Sequence, residues 1–210
     1  MGIEDHSESP GSSPIVAFDF DGTVTIRDSF NAFLAWRAPL GRLAVGVVRL
    51  SPGLLRYAGD RDRQGLKAAA AKEFLAGLTP AELSAQAEAF AAARFDRLIR
   101  PDARACWDDW GRRGARRVIV TASPELTVEP FARRLGAARL IGTRLAVDAD
   151  GRLTGALDGP NCRAAEKVVR LRAAFGPDLR LAAAYGDSSG DVEMLHIAEL
   201  RGMKAFHGRP

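Results

Sequence analysis

Cysteine is nearly absent from this 210-residue chain: Cys106 and Cys162 stand far apart, with no CxxC pair and no Cys/His cluster. That argues against a disulfide framework or a structural zinc and fits a reducing compartment. Long hydrophobic runs are missing as well; none approaches the ~20 apolar residues of a membrane-spanning helix. The opening MGIEDHSESPGSSP lacks the apolar centre of a signal peptide and reads, over residues 1–13, as a disordered tail. Charge of one sign is not concentrated either. Thirty Lys and Arg against 26 Asp and Glu leave a formal +4, and no run of like charges resembles a nucleic-acid-binding arm, so no nucleic-acid partner is expected. His6, His196 and His207 fall outside every motif. What remains, at 47% hydrophobic and 27% charged residues, is a cytoplasmic globular chain: one good-sized domain, or a core carrying a smaller insertion.

Three short apolar runs read as buried parallel strands: PIVAFDF (14–20), ARRVIVTA (115–122) and LRLAAAYGD (179–187). Helical patterns lie between and after them. In SPELTVEPFARRLG, Ser123 is placed to cap a helix that begins at Pro124 and stops at Gly136. CRAAEKVVRLRAAFG sets Val168, Leu171 and Phe175 on one face, and DVEMLHIAEL predicts a helix directly after the third strand. GTRLAVDADGRLTGAL alternates with period two around Asp150-Gly151, a hairpin signal. Strands alternating with helices predict an α/β fold, a Rossmann-like parallel sheet. Residues 28–98 break the alternation with helical pattern alone, including a capping box at Thr79 to Glu82. They are expected to form an all-helical cap inserted into a core of residues 14–27 and 99–210.

Each strand ends in polar groups, and ligands of parallel sheets bind at the carboxyl ends of strands. The first supplies Asp19 and Asp21, the second Thr121 and Ser123, the third Asp187, with Asp191 four residues on; Lys167 precedes the third strand. Acids gathered this closely need a compensating cation. Oxygen donors suit magnesium, while the ammonium and strand-end N–H groups suit a phosphoryl dianion. Phosphoryl transfer is the chemistry this inventory serves.

The four segments DFDGTVT, VTAS, the lysine of NCRAAEKV, and GDSSGD resemble, in order and spacing, the motifs of the haloacid dehalogenase (HAD) superfamily. The helical insertion after the first motif looks like the first cap type of its phosphoserine-phosphatase-like branch, subfamily IB. That resemblance implies an enzyme, a magnesium-dependent phosphatase acting through an aspartyl-phosphate. Asp19 would be the nucleophile, and Asp21 the acid that protonates the leaving oxygen and then activates water. Thr121, the Ala122 N–H and Lys167 would hold the phosphate. Asp19, the main-chain carbonyl of Asp21, and Asp187 would hold the metal, with Asp191 supporting them or ligating directly. Ser188 and Ser189 read as turn residues, and Trp107, Trp110 and Cys162 as packing.

Two departures bear on substrate. Thr121-Ala122 stands where phosphoserine phosphatases carry Ser-Gly, and Asp28 replaces their cap glutamate. Arg37, Arg42, Arg49 and Arg56 stud an apolar cap segment without acids, the last three at intervals of seven. Such a stripe fits an ordinary packed cap helix or an interface with anionic lipid. The cap and the GPNCRAAEKV segment are similar to the C-type phosphatidylglycerophosphate phosphatases, which implies a phosphorylated lipid or lysolipid substrate, a place in phospholipid metabolism, and peripheral contact with the inner face of a membrane. The competing expectations are a soluble metabolite phosphatase, with phosphoserine first, and a non-catalytic protein that binds a phospholigand or a membrane.

Overall fold

The computed structural model describes residues 13–37 and 72–210. Strand β1 (Ile15–Phe18) runs through a tight turn at Phe20–Val24 into helix α1 (Ser29–Arg37). Residues 72–210 continue with α2 (Pro80–Leu98), α3 (Pro101–Arg112), β2 (Arg116–Pro124), α4 (Glu125–Leu135), β3 (Arg139–Thr143), β4 (Leu145–Val147) and β5 (Leu153–Leu157). The chain then completes α5 (Ala165–Phe175), β6 (Leu181–Gly186), α6 (Val192–His196) and β7 (Ala198–Met203).

Five strands form one sheet in the order β3-β2-β1-β6-β7, and every neighbouring pair is parallel. The expected α/β, Rossmann-like parallel core is therefore present. Its strands are apolar throughout because both faces are covered. Val16, Phe18, Ile119 and Tyr185 point into one core cluster, and Ala17, Val118, Val120 and Ala184 into the other. The chain proceeds from β1 outward through β2 to β3, then returns to β6 on the other side of β1. Such a reversal of strand order opens a crevice at the carboxyl ends of the central strands.

The hairpin is present as β4 and β5, paired antiparallel. Thr79 and Glu82 form the foreseen capping box at the start of α2, and Gly136, in the left-handed conformation, ends α4. Trp107 and Cys162 are fully buried. The helices of 28–98 that the structure describes pack on the core through rings. Phe20 meets Phe131 of α4 at 5.6 Å, Phe131 meets Phe90 of α2 at 5.8 Å, and Phe90 meets Phe33 of α1 at 5.6 Å. Glu88 adds ion pairs from α2 to Arg133 and Arg134. One stretch there is not helical: Gly77 N–H donates to the Leu153 carbonyl (2.8 Å) and Leu153 N–H to the Leu78 carbonyl (2.7 Å). Arg42, Arg49 and Arg56 lie outside the described residues. Arg37 has its guanidinium on Gln86 and, at 2.5 Å, on the Phe74 carbonyl.

Three local expectations change. Ser123 does not cap α4; β2 continues to Pro124, which pairs with Thr143 of β3, and the helix begins at Glu125 without a side-chain cap. Pairing with the neighbouring strand holds this stretch extended. The helix expected over DVEMLHIAEL ends at His196, and Ala198–Met203 instead pairs with β6. Gly202 lies so close to Tyr185 that a Cβ would stand 2.2 Å from the ring, so this register requires glycine. Finally, β3 is a strand of the main sheet in its own right.

Phe131 is buried and touches Phe20, Phe90 and Phe95. Phe131→Ala is expected to cost about 3–5 kcal/mol, read as a lower midpoint in urea with an unchanged slope.

Candidate active site

At the end of β1 the side chains diverge. Phe20 enters the aromatic cluster, whereas Asp19 and Asp21 both line a cleft of about 420 Å³ at the carboxyl edge of the sheet. Thr121, Ala122, Lys167, Asp187 and Asp191 line the same cleft. All seven residues singled out from sequence are thus brought together.

Lys167, buried on α5, is the centre of the arrangement. Its Nζ donates to Asp19 Oδ1 at 2.6 Å, to Asp191 Oδ1 at 2.7 Å and to the Val120 carbonyl at 2.7 Å. An ammonium has three donors, and each has an acceptor. Burial alone would favour the neutral amine, but Asp19 and Asp191 outweigh it and hold Lys167 charged. Asp19 is buried too, and Thr23 Oγ1 donates to its Oδ2 at 3.2 Å. Burial pushes the Asp19 carboxyl up to about 7, against the pull of Lys167 and with the help of the negative charge on Asp191.

Asp191 is fully engaged. Its Oδ2 accepts from the N–H groups of Asp187 (3.2 Å) and Ser188 (3.0 Å) and from the Ser188 hydroxyl (3.0 Å). Desolvation works to raise its pKa, yet Lys167 and the Ser188 hydrogen bonds hold it below the ordinary carboxylate value. Asp187 is half-buried, and desolvation, followed by repulsion from Asp191, raises it. Asp19, Asp187 and Asp191 each bring a carboxylate oxygen within 4.8 Å of the others. Hard oxygen donors at that spacing fit one magnesium ion. Because both oxygens of Asp191 already have partners, Asp19 and Asp187 are the acids suited to ligate, with Asp191 fixing the loop that carries Asp187.

Asp21 is oriented separately: the Ser29 N–H donates to Oδ1 at 2.7 Å, and the Ser123 hydroxyl donates to Oδ2. Thr121 Oγ1 accepts from the Ser123 N–H at 3.1 Å. Ser29 and Thr23 are the partners that sequence reasoning missed; Ser123, grouped with the strand-end donors but read as a helix cap, serves Asp21 instead. Spacing offered a signal for Ser123, since it follows Thr121 by two positions at a strand end that faces the acids. Ser188 forms the expected turn, its hydroxyl accepting from the Gly190 N–H.

Two glycines allow this density. Gly22 has φ +80°, and a Cβ there would lie 2.3 Å from Asp187 Oδ2; a Cβ on Gly186 would lie 2.4 Å from Asp191 Cβ.

The fold and the cleft define a hydrolase of the α/β phosphoryl-transfer kind. The haloacid dehalogenase-like hydrolase family matches residues 16–196, so the chain belongs to that family, and it is a phosphatase within it. It is 59% identical over 201 residues to protein CicA of Caulobacter vibrioides, spanning 95% of this chain and 90% of that one. To a phosphoserine phosphatase of Halobacterium salinarum it is 33% identical over 191 residues, spanning 88% and 82%. A crystal structure from Bordetella pertussis Tohama I, of a protein of unknown function, superposes with a TM-score of 0.74 at 26% identity, covering 89% of this chain and 87% of that one.

Gly22→Ala is expected to lower stability by about 1–3 kcal/mol through the positive φ. By displacing Asp187 it should also lower turnover, by about a hundredfold. Thermal melting and phosphate release, measured on one preparation, check both.

Proposed function

We propose that the protein is a magnesium-dependent phosphomonoester hydrolase working through an aspartyl-phosphate on Asp19. The observation that carries this reading is the buried Asp19 carboxylate, fixed by Lys167 and Thr23, in one cleft with a second acid that has its own fixed orientation. Asp19 attacks phosphorus and the bond to the leaving oxygen breaks, with Asp21 giving its proton to that oxygen. Asp21 then takes a proton from water, whose oxygen attacks phosphorus and frees the Asp19 carboxylate together with inorganic phosphate. Thr121 and the Ala122 N–H hold phosphoryl oxygens, and Lys167, its donors engaged by Asp19, Asp191 and the Val120 carbonyl, offsets the charge of Asp19 and the phosphate. Asp19, Asp187 and the Asp21 carbonyl, with Asp191 behind them, would hold magnesium, which would supply neutralisation of the charge on the transferred group. Residues 28–98 act as the cap that covers the cleft and selects the leaving group.

The substrate proposed is a phosphorylated lipid or lysolipid head group, met by peripheral contact with an anionic membrane surface. Its support is the arginine-studded apolar stretch of the cap sequence, together with Thr121-Ala122 in the second motif. Asp28 bears on the same point, because its Oδ1 accepts from the Asn31 N–H at 2.8 Å at the start of α1. Among the described residues no helix is long and apolar enough to cross a membrane, which suits an enzyme that visits lipid from one side. The 33% identity to a phosphoserine phosphatase favours the second reading, a soluble substrate. Phosphate release from phosphoserine, sugar phosphates, lysophosphatidic acid and phosphatidylglycerophosphate in mixed micelles separates them. Activity concentrated on the two lipids is expected; activity on soluble esters alone would overturn the lipid assignment.

Asp19→Asn is expected to abolish release from every substrate, and substantial residual turnover would refute the nucleophile. Magnesium affinity should rise with pH. In the metal-free protein Asp19 is protonated below about pH 7, so binding there must release a proton, and affinity climbs to that point and then levels. The same raised pKa makes the metal-free fold less stable as pH increases from about 4 to about 7, because the native state binds the extra proton in that window. Titration calorimetry at about pH 6 and about pH 8, with urea melts of the metal-free protein, reads both trends.

A further inference from the structure

The cleft has a second charged wall that the chemistry above leaves unused. It is built on the two-stranded ribbon that joins the sheet to the helices of 28–98: Ile26 N–H donates to the Leu98 carbonyl at 2.8 Å, Thr25 bridges Ile99, and Arg100 N–H donates to the Val24 carbonyl at 2.9 Å. Arg27 and Arg100 stand on this ribbon and line the cleft. Neither forms an ion pair with any described carboxylate, whereas Lys167 is fully engaged by Asp19 and Asp191.

Arg100 is held from behind. Its Nη1 donates to the Gly208 carbonyl at 3.1 Å, and its Nε is buried with no hydrogen-bond partner among the described residues. Its Nη2 has no acceptor among the described residues, and a guanidinium that lines a cleft with that donor unfilled has capacity for a ligand oxyanion. The segment that reaches it is clamped: Asp102 Oδ2 accepts from the His207 N–H (2.6 Å) and the Gly208 N–H (2.7 Å), and Oδ1 accepts from the Ala103 N–H (2.9 Å). Phe206 lies against Tyr185, with ring centroids 5.1 Å apart. A Cβ on Gly208 would stand 2.7 Å from Asp102 Oδ1, so a side chain there must displace the carboxylate that clamps this segment. Residues 206–208 thus form a strap across the base of α3 that sets where the guanidinium sits.

We propose that the leaving group of the substrate carries a second anionic group, a carboxylate or a phosphodiester, received by Arg100 with Arg27 beside it, and that the 206–208 strap positions Arg100 for this task. The proposal rests on the phosphatase reading of the cleft and adds the class of its substrate. Arg100 is a specificity-determining residue and Gly208 a positioning one. Both permitted anions share the oxyanion that a guanidinium binds; the carboxylate belongs to small soluble esters, the phosphodiester to a lipid head group.

The test uses non-hydrolysable probes on the full chain with saturating magnesium. Calorimetry compares methylphosphonate with phosphonoacetate, which adds a carboxylate, and with monomethyl methylenediphosphonate, which adds a phosphodiester-like anion. A second anion is expected to tighten binding to the wild type by about tenfold or more, and the better of the two arms identifies its source. Arg100→Ala should erase that gain while leaving methylphosphonate within about threefold of wild type. Arg100→Lys, which keeps the charge, should retain part of the gain. Gly208→Val should reduce it with no change in methylphosphonate affinity, an effect that general loss of stability would not produce. Equal binding of all three probes by the wild type, or uniform weakening of all three by Arg100→Ala, overturns the proposal and leaves the phosphatase reading intact. Failure of methylphosphonate itself to bind would remove both.

Discussion

A buried ammonium organises this molecule. Moving a charge from water into a protein interior costs several kcal/mol after relaxation, and it is sustained here because all three donors of Lys167 meet acceptors from three different parts of the chain. Asp19 ends the central strand, the Val120 carbonyl belongs to the neighbouring strand, and Asp191 lies beyond the strand on the other side. One side chain therefore ties three adjacent strands at their carboxyl edge to a helix packed across them. Removing Lys167 would leave two carboxylates buried without a cation, which is strongly destabilising. The same contacts set the chemistry: they leave one carboxylate, Asp19, raised in pKa and facing a cleft, and another, Asp191, lowered and fully engaged. Two like groups in one site are thereby given different work by their surroundings alone.

Close packing of acids imposes a second constraint, met through main-chain shape. Gly22 and Gly186 lie where a Cβ would intrude on Asp187 and Asp191. Between the paired acids, Phe20 turns the other way and joins the ring cluster that continues through Phe131 to Phe90 and Phe33. The short span from Asp19 to Asp21 thus serves two neighbourhoods. Its carboxylates face the cleft, while its ring fixes α1 and α2 to the core. Ser29, at the first position of α1, donates its N–H to Asp21, so the placement of that helix and the orientation of the second acid are a single problem.

Much of this was legible because the three central strands are covered on both faces and read as unbroken apolar runs ending in polar residues. The glycine stop of α4 and the capping box of α2 were equally plain, since each uses local chemistry that tertiary packing did not override. The edge strands were harder. Arg139–Thr143 and Ala198–Met203 mix exposed polar with buried residues, and only their neighbours make them strands. Ser123 shows the same limit at one residue. A serine followed by proline and glutamate has the local form of a helix start, yet pairing with Thr143 keeps the chain extended and its hydroxyl serves Asp21. All seven acids, donors and the lysine singled out from sequence meet in one cleft because strand ends, which sequence does reveal, are where this fold gathers them. Partners such as Thr23, Ser29 and Arg100 sit on a turn, a helix start and a connection whose paths depend on the completed structure.

That division has a physical basis which also bears on how the enzyme tells substrates apart. Groups proposed to act on phosphorus must be rigid, and Asp19 and Thr121 are held at strand ends by buried hydrogen bonds. Groups that meet the rest of the substrate can lie on the ribbon of residues 24–27 and 98–100, whose main chain is paired but whose arginines reach the cleft without carboxylate partners among the described residues. This ribbon joins the sheet to α1 and α2. A strap pinned by two of its N–H groups on one carboxylate suits the task of seating Arg100. Desolvation opposes the charge on Asp102, yet the N–H groups of Gly208, His207 and Ala103 hold its pKa below the ordinary value, so the clamp keeps its charge over the whole neutral range. The anchor of Arg100 is then insensitive to the protonation changes at Asp19 that accompany metal binding. On the proposed reading, recognition of the leaving group and transfer of the phosphoryl group occupy one cleft but rest on separate supports, so one can vary without disturbing the other.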